Sequence, residues 1–383
     1  MIKTHKIELK PNKSQLVYFK QSAGTARFAY NWALNQWIND YEHYKSYPFS
    51  CGISPRSVKY EMELRKRLNS IKKEQYPWMY DVSKYAPQQA IKNLGKAFLN
   101  FFEGRAKFPQ FKSKHHHNSF EIGNDQVQID GKYLTLPKIS PIKMKEKLRF
   151  DGVIKTAVIS RTANKWFISV SVETEHKSIV SSKNHAIGID LGVKSFVTLF
   201  DGSKCWDSPA LKPYRNLQNK IKVLSRNLSK KELKSNNRYK ARMKLAKLHS
   251  RIANIRRDYL HKLTYDLTNK YSIIGIEDLN VKGMAKNRNL AKSILDASFF
   301  EFKRQLLYKS ELYGSKVVIA DRFYPSTKTC SNCDHKMKEL KLSVRAWTCP
   351  SCNTTHDRDE NAAKNLYKNA VSSTVKACGE ICH

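Results

Sequence analysis

The chain has 383 residues, of which 70 are Lys or Arg and 33 are Asp or Glu, a formal net charge of +37. This length exceeds one ordinary domain of ~100–200 residues, so two to four folded units are expected. So many like charges repel one another in a compact monomer, and a nucleic-acid partner would offset this repulsion. Basic composition also occurs in ribosomal proteins and in proteins from biased proteomes, but we favour nucleic acid as the explanation. No apolar run of about 18 residues and no apolar signal core are present, so we expect a cytoplasmic protein without a membrane partner.

The N-terminal region is predicted to combine one strand with helices. Residues 1–10 alternate as a strand does, whereas residues 15–45 and 84–103 have helical spacing. A basic and aromatic stretch, residues 107–114, follows the second helix. The first helix carries many aromatic residues, which we expect in the core rather than stacked on bases: Phe28, Trp32, Trp37, Tyr41 and Tyr44.

The middle of the chain changes from strand patterns to an α/β pattern. Residues 120–172 alternate in short runs, which predicts an antiparallel sheet or small barrel. The three histidines 115–117 are predicted to be a solvated loop rather than a metal site. After a linker at 181–184, the apolar runs 186–190 and 196–200 are expected to form neighbouring strands.

A strongly basic helical hairpin is predicted over residues 211–270. Apolar residues recur at steps of three and four on both sides of a turn near 235–237. The segment holds 18 Lys and Arg against three acidic residues, a net charge of +15. A solvated helix face normally mixes both signs, so a surface that follows phosphates is favoured here.

Two Cys-x-x-Cys pairs, Cys330 with Cys333 and Cys349 with Cys352, are separated by 15 residues. Four thiolates arranged in this way suit Zn²⁺ in a tetrahedron at ~2.3 Å, with a small hairpin between the pairs. In a reducing compartment such spacing indicates a metal site, not disulfides. A closed four-cysteine site has no open position for a substrate, so we expect this Zn²⁺ to be structural.

Three carboxylates are the candidate catalytic residues. Asp190 and Glu277 each end an apolar, strand-like run, where a carboxylate is costly unless it is paired, hydrogen-bonded or bound to metal. Asp359 precedes a helix start, where an anion suits the helix dipole. Taken singly they could be a turn residue, a loop acid and an N-cap. Together in so basic a chain they predict one site, at which three carboxylates can hold two Mg²⁺ ions about 3.5–4 Å apart for in-line attack on phosphorus.

These residues carry a resemblance to a known family. The segments GIDLGVKSFVT (188–198), GIEDLNVKGM (275–284) and DRDENAAKNL (357–366) resemble the three motifs of a RuvC-type nuclease domain, with a zinc ribbon before the third. Their order resembles the TnpB (OrfB) family, transposon-encoded RNA-guided DNA endonucleases related to type V CRISPR effectors. Residues 26–32 and 107–112 are also similar to that family. The resemblance implies Asp359 as the third acid, and it departs at Asp334, where the family usually has Gly.

The resemblance also implies a domain plan. It comprises an RNase H-like (RuvC) α/β nuclease domain over 184–325 and 357–370, which includes the hairpin, and an inserted zinc ribbon over 326–356. An OB-like wedge β-barrel is expected over 1–10 and 115–180, with a helical recognition domain over 11–114. Residues 371–383 are expected to be a loosely ordered tail.

The activity that the resemblance implies is RNA-guided cutting of double-stranded DNA. A guide RNA made from the transposon end pairs with the target, the protein recognises a short adjacent motif, and the Mg²⁺ site cuts both strands. We expect one protein copy on one guide RNA, in a prokaryotic cytoplasm and at the nucleoid when bound to DNA. Two alternatives stay open at this point: a guided DNA-binding regulator that has lost cutting, which the three intact acids disfavour, and a strand-transfer transposase, which the motif order and zinc ribbon disfavour.

Overall fold

The computed structural model describes residues 1–46, 54–57, 59–114, 118–175, 183, 185–192, 195–201, 204–205, 211–287, 291, 298–341 and 343–379. For 204–205, 211–215 and 375–379 it describes the backbone alone. The chain divides into two compact units, Met1–His176 and Lys177–His383. The predicted solvated loop at 115–117 and most of the predicted linker lie outside the described residues.

The first unit begins with one strand and three helices. These are β1 (Ile2–Lys10), α1 (Lys13–Ser46), α2 (Tyr60–Gln75) and α3 (Tyr85–Phe102), with a short 3₁₀ helix at Pro77–Asp81 before α3. At the start of α1, the Asn12 side chain accepts from Gln15 N and the Gln15 side chain accepts from Asn12 N, both at 2.9 Å. This reciprocal cap satisfies two backbone donors and sets where the helix begins. The two predicted helices are confirmed, and α2 is an addition that the sequence analysis missed.

An antiparallel sheet completes the first unit. Its remaining strands are β2 (Ser119–Gly123), β3 (Gln128–Asp130), β4 (Tyr133–Leu136), β5 (Ile139–Met144), β6 (Val153–Thr162) and β7 (Lys165–Glu173). The order is β2-β6-β7-β1-β5-β4-β3, and every neighbouring pair is antiparallel. The predicted antiparallel sheet is therefore confirmed. Within the described ranges no pairing joins β2 to β3, and the OB-like barrel stays a prediction.

The core of the first unit explains the aromatic residues of α1. Trp37 is 2% exposed, stacks on Phe98 of α3 with ring centroids 4.2 Å apart, and donates from Nε1 to the Pro55 carbonyl at 3.0 Å. Phe28, Trp32 and Tyr41 are partly buried against the same core. The prediction is confirmed for these four side chains, which pack in the core that α1 forms with α3 and the sheet. Tyr44 is half-buried and is not part of this core cluster.

The second unit contains a mixed five-stranded sheet. Its strands are β8 (Ala186–Asp190), β9 (Val197–Leu199), β10 (Lys204–Cys205), β11 (Ile273–Ile276) and β12 (Lys316–Ile319), in the order β10-β9-β8-β11-β12. Strands β8, β11 and β12 are parallel, whereas β9 runs antiparallel to both β8 and β10. The predicted neighbours 186–190 and 196–200 are thus confirmed as β8 and β9.

The described helices of the second unit include the two that form the predicted hairpin. They are α4 (Leu211–Ser229), α5 (Asn236–Lys270), α6 (Val281–Met284), α7 (Phe299–Tyr313) and α8 (Arg358–Gly379). Helices α4 and α5 pack against each other, and Ser235 caps α5 by accepting from Arg238 N at 3.1 Å. In the part of the chain that is described, no helix is long and apolar enough to cross a membrane.

The C-terminal tail differs from its prediction. A loose end was expected over 371–383, but α8 continues to Gly379. No proline interrupts this stretch, and its first glycine is the residue at which the helix ends, so the backbone hydrogen-bond ladder can continue beyond residue 370.

Candidate active site and four-cysteine cluster

Two glycines allow α8 to lie directly on the central strands of the second sheet. Gly188 of β8 and Gly275 of β11 are paired in register. A Cβ at Gly275 would lie 2.5 Å from the Leu366 carbonyl oxygen, and one at Gly188 would overlap the Ala363 carbonyl. Only glycine permits this approach of helix and sheet backbones. The first turn of α8 is thereby brought to the carboxyl ends of β8 and β11.

Three carboxylates meet at that edge. Ile189 pairs with Ile276, so Asp190 and Glu277 leave adjacent parallel strands at the same level. Asp359 lies in the first turn of α8. Burial raises the pKa of Asp190 well above its usual 3.8, and the charges of Glu277 and then Asp359 raise that pKa further. The charges of the other two acids that the sequence singled out therefore act on the Asp190 carboxyl.

Asp359 is not the N-cap of α8. That role belongs to Asp357, whose Oδ1 accepts from Asp359 N at 3.0 Å and from Glu360 N at 3.1 Å. The Asp359 carboxylate instead lies 3.3 Å from Nη1 of Arg345, and its charge acts on Asp190. Glu360 pairs with Lys364 at 2.6 Å, along the helix. The N-cap alternative for Asp359 is therefore wrong, because its neighbour satisfies those backbone donors.

Glu277 has a hydrogen-bond donor that the sequence analysis missed. The buried Ser326 hydroxyl donates to Glu277 Oε1. Burial raises the pKa of Glu277, while this hydrogen bond and the charge of Arg358 oppose the rise. Asp278, the next residue, faces elsewhere: Lys303 and Arg322 each hold it at 2.7 Å and lower its pKa. The two adjacent acids, both half-buried, therefore have different partners: Glu277 accepts from Ser326, and Asp278 is ion-paired with Lys303 and Arg322.

The four predicted zinc ligands converge. The Sγ atoms of Cys330, Cys333, Cys349 and Cys352 all lie within 4.8 Å of one another, a cluster compatible with a structural Zn²⁺ site. The second pair occupies the turn between β13 (Ala346–Thr348) and β14 (Thr355–Asp357). The first pair lies within a turn of the same length, closed by a bridge between Thr329 and Lys336. The hairpin strands therefore flank the second pair, whereas the sequence analysis placed a hairpin between the pairs.

The turns at the two pairs have the same backbone feature. Asp334, which follows Cys333, has a φ of 60°, and Asn353, which follows Cys352, has a φ of 54°. Asp and Asn are the non-glycine residues that best tolerate this left-handed conformation. The departure from the family's usual Gly at 334 is therefore compatible with a left-handed turn.

A further residue that the sequence analysis missed is His356, whose Nε2 lies 3.1 Å from Cys330 Sγ.

Two buried asparagines of α8 connect the four-cysteine cluster to the carboxylates. The Thr329 carbonyl accepts from Asn361 Nδ2 at 2.8 Å and from Asn365 Nδ2 at 2.6 Å. Asn365 Nδ2 also donates to the Ser326 carbonyl at 2.7 Å. The helix that carries Asp359 therefore holds the backbone on which both Ser326 and Cys330 lie. No local pattern in the sequence indicated this connection.

The basic hairpin has a groove between its two helices. Lys220 and Val223 of α4 face Lys244, Lys247 and Arg251 of α5 across it. Cationic side chains with an apolar floor are suited to a polyanion whose backbone passes over the groove. The predicted phosphate-following surface stays a prediction, and this groove is its candidate location.

The raised pKa of Asp190 predicts a pH-dependent stability in buffer free of divalent metal. In the folded state Asp190 keeps its proton to a higher pH than in the unfolded state, so the free energy of unfolding falls as pH rises through that interval. Asp190→Asn, which stays neutral, is expected to melt higher than the native protein at about pH 8, with the gap shrinking towards about pH 4. Thermal melts across this range measure the effect.

An adjacent acid supplies the control for that experiment. The pKa of Asp278 is lowered by hydrogen bonds from Lys303 and Arg322, so its ionised form stabilises the fold above its usual pKa. Asp278→Asn is therefore expected to melt slightly lower than the native protein near neutral pH. If both variants changed in the same direction, the pKa shift of Asp190 would not be the cause.

Comparison with known families covers most of the chain. Residues 169–288 match the OrfB_IS605 family, described as "Probable transposase", and residues 299–366 match "Cas12f1-like, TNB domain". Residues 1–46 match a family described as "Helix-turn-helix domain", although the structure has β1 and the single helix α1 there. Three models therefore match separate regions of the chain, and the Cas12f1-like model covers the four cysteines and Asp359.

Whole-chain relatives are similar as well. A protein of Escherichia coli (strain K12) named "Putative RNA-guided DNA endonuclease InsQ" is 32% identical, over 99% of this chain and 94% of its own length. A "Putative RNA-guided DNA endonuclease" of Streptomyces pristinaespiralis is 34% identical, over 97% and 89%. "TnpB-like protein L770" of Acanthamoeba polyphaga mimivirus is 28% identical, over 96% and 73%.

The fold has a solved counterpart. The structure titled "Cryo-EM structure of the Cas12f1-sgRNA-target DNA complex" matches with a TM-score of 0.56 and 14% sequence identity, over 92% of this chain and 83% of the other. The mixed α/β architecture is therefore shared with that protein. The sequence identity and coverage of the bacterial relatives decide the family: this chain belongs to the TnpB (OrfB) family.

Proposed function

We propose that this protein is an RNA-guided DNA endonuclease of a transposable element, which hydrolyses target DNA beside a short adjacent sequence motif. The observation that carries the proposal is the meeting of Asp190, Glu277 and Asp359 at one edge of the second unit's sheet. The names of the two bacterial relatives support the same activity, and so does the fold shared with a protein solved with guide RNA and target DNA.

The donor set at this edge fits divalent metal ions. The charges of Glu277 and Asp359 disfavour the ionised form of Asp190, and burial raises the pKa of both Asp190 and Glu277. Divalent cations offset both costs, and carboxylate oxygens are ligands that suit Mg²⁺. When two ions are bound, they supply a water activated for in-line attack and stabilisation of the leaving oxygen. We propose that Asp190, Glu277 and Asp359 hold them, while the four cysteines hold a structural Zn²⁺.

The chain's own residues have distinct roles in this proposal. Asp190 and Glu277 are fixed by adjacent parallel strands, and Asp359 is fixed by a helix that lies on the same strands. Ser326 sets the rotation of the Glu277 carboxylate by donating to Oε1. The positive charge of Arg358 favours the ionised forms of Asp190 and Glu277, which are the forms that bind metal.

The remaining surface is proposed to bind nucleic acid. The net charge of +37, and of +15 within 211–270, suits a guide RNA from the transposon end paired with one strand of double-stranded target DNA. Such a duplex is recognised through its backbone and shape, not through its sequence. We propose one protein copy on each guide RNA, in a prokaryotic cytoplasm and at the nucleoid when bound to DNA.

Expression with the native flanking DNA tests the proposed function. The bound RNA is sequenced, and Mg²⁺-dependent cutting of a matching plasmid is assayed. A discrete bound RNA, with cutting that is absent in Asp190→Ala, is expected. Bound RNA without any cutting by the native protein would favour a guided DNA-binding regulator. Absence of bound RNA would favour a transposase that recognises DNA by itself.

Replacing Ser326 with alanine is expected to weaken metal binding and cleavage together. Partners that orient a metal ligand typically contribute roughly 10–100-fold to metal affinity or activity. The Mg²⁺ concentration for half-maximal cleavage should therefore rise by about tenfold or more. Calorimetric titration with Mn²⁺ measures the same loss without any cleavage assay. Thr327→Ala, which removes the neighbouring hydroxyl, is the control; an equal metal requirement in both variants would exclude this role for Ser326.

A further inference from the structure

One exposed aromatic residue lies three positions before Ser326, the residue that donates to Glu277. Phe323 is 87% exposed, more than any other large apolar side chain in the described part of the chain. It lies between the end of β12 and the first cysteine pair. Single exposed apolar side chains are common on protein surfaces, so exposure alone assigns no partner. Phe323 is distinguished by its attachment to the segment that carries Ser326, the residue that donates to Glu277.

The backbone that carries Phe323 is an ordered turn. Tyr324 N donates to the Asp321 carbonyl at 3.0 Å, and Phe323 N donates to Asp321 Oδ1 at 2.8 Å. The Tyr324 hydroxyl donates to the Asn365 carbonyl at 3.2 Å. The ring is therefore exposed on a hydrogen-bonded turn, with its neighbour attached to α8.

Both sides of this turn are attached to the strand end that carries the candidate catalytic acid. Before Phe323, the Arg322 guanidinium donates to Asp278 at 2.7 Å. After it, the Ser326 hydroxyl donates to Glu277. Phe323 and Ser326 are three positions apart along the chain, so their Cα atoms are at most about 11 Å apart. In a nucleic-acid strand with ~3.4 Å rise per nucleotide, this is a span of roughly three nucleotides.

We propose that Phe323 is a stacking site for an unpaired nucleobase of the strand being cut, within a few nucleotides of the scissile phosphate. Aromatic side chains stack on any base, so such a contact positions a single strand without selecting its sequence. Beside the turn, Arg322 and Lys303 both pair with Asp278, which leaves one excess positive charge. This charge favours the phosphates of the same strand. This proposal rests on the proposed function, because it assumes that the carboxylate cluster hydrolyses DNA.

The test uses the protein with its bound guide RNA and three replacements of one ring. Phe323→Ala is expected to slow cleavage of a matching DNA by roughly tenfold, the contribution typical of one base–aromatic stack. Phe323→Trp, which keeps a π face, is expected to cleave at close to the native rate. Phe323→Leu, which is apolar without a π face, should behave like the alanine variant. Phe300→Ala removes another exposed phenylalanine (71% exposed, on α7) and is the matched control.

Binding and melting separate the possible outcomes. A fluorescent single-stranded oligonucleotide should bind the Phe323→Ala protein more weakly than the native one, while guide-RNA retention and melting temperature stay unchanged. Native-rate cleavage by Phe323→Ala, full rescue by Phe323→Leu, or a lowered melting temperature would each overturn the stacking site. Those results leave native cleavage intact, whereas a native protein that does not cleave at all would overturn the proposed nuclease function instead.

Discussion

Replacement of Asp190, Glu277 or Asp359 by alanine is expected to abolish DNA cleavage while the protein still retains its guide RNA. A metal site contributes several kcal/mol of transition-state stabilisation, and about 1.4 kcal/mol corresponds to a tenfold change in rate, so a loss of roughly a thousandfold or more is expected. Guide binding should persist because it depends on the basic surface, not on three acids. Cleavage of a matching plasmid and RNA retained through purification measure the two effects.

The chain provides a matched control for this experiment on the same helix. Glu360 follows Asp359 directly, and it pairs with Lys364 at 2.6 Å. Glu360→Gln removes a negative charge from the same helical turn, so it is expected to cleave at close to the native rate. A single alanine variant that cuts at the native rate would remove that residue from the site. Loss of guide RNA in all three variants would indicate a folding defect instead.

The second large effect is expected when one cysteine of the cluster is replaced. In zinc-finger peptides a structural Zn²⁺ contributes apparent free energies of ~10–16 kcal/mol, comparable to the whole stability of a domain at ~5–15 kcal/mol. The Cys349→Ser protein is therefore expected to lose its bound zinc and to become sensitive to proteases within residues 326–357. Metal analysis and limited proteolysis measure this. Cys205→Ser, which removes a thiol from β10, is the control.

Loss of zinc should also reduce cleavage, although a closed four-cysteine site has no catalytic position. The backbone at Ser326 and Thr329 is hydrogen-bonded to Asn361 and Asn365 of α8, and Ser326 in turn donates to Glu277. Disorder of this segment would free the Glu277 carboxylate to rotate. Cys349→Ser is therefore expected to lose at least as much cleavage as Ser326→Ala. Unchanged zinc content and unchanged protease resistance would contradict a structural zinc site.

Sequence periodicity predicted those elements whose pattern is local and strong. The hairpin of α4 and α5 was predicted because apolar residues recur at steps of three and four along it, although the segment is strongly basic. Helix α2 was missed because only Tyr60, Leu64 and Leu68 are buried in a segment that is otherwise mostly polar. Three buried positions in sixteen residues give a weak signal, and packing against α3 supplies the stabilisation that the pattern does not display.

The candidate site likewise combines residues with a local sequence signal and residues that only the packed fold places. Asp190 and Glu277 could be singled out because each ends an apolar strand, and the four cysteines because of their spacing. Ser326 could not, because its hydrogen bond to Glu277 spans 49 residues of the chain and a lone serine in a loop has no distinguishing neighbours. The sequence alone does not distinguish a site role for Asp359 from an N-cap role. The structure does, because Asp357 accepts from the backbone nitrogens of Asp359 and Glu360.

The sequence by itself determined the charge, the helical hairpin and the two cysteine pairs, since all of these depend on residue type and short-range spacing. It also predicted the three acids, the third of them through its resemblance to the TnpB family. Tertiary structure alone decided that the ends of β8 and β11 and the helix α8 lie close together, because this requires Gly188 and Gly275 to be paired and covered closely by α8. It also decided which groups surround them, since Ser326, Asn365 and Phe323 acquire their positions from contacts between distant segments. Local spacing is a property of chain neighbours, whereas the completed site is a property of the packed fold.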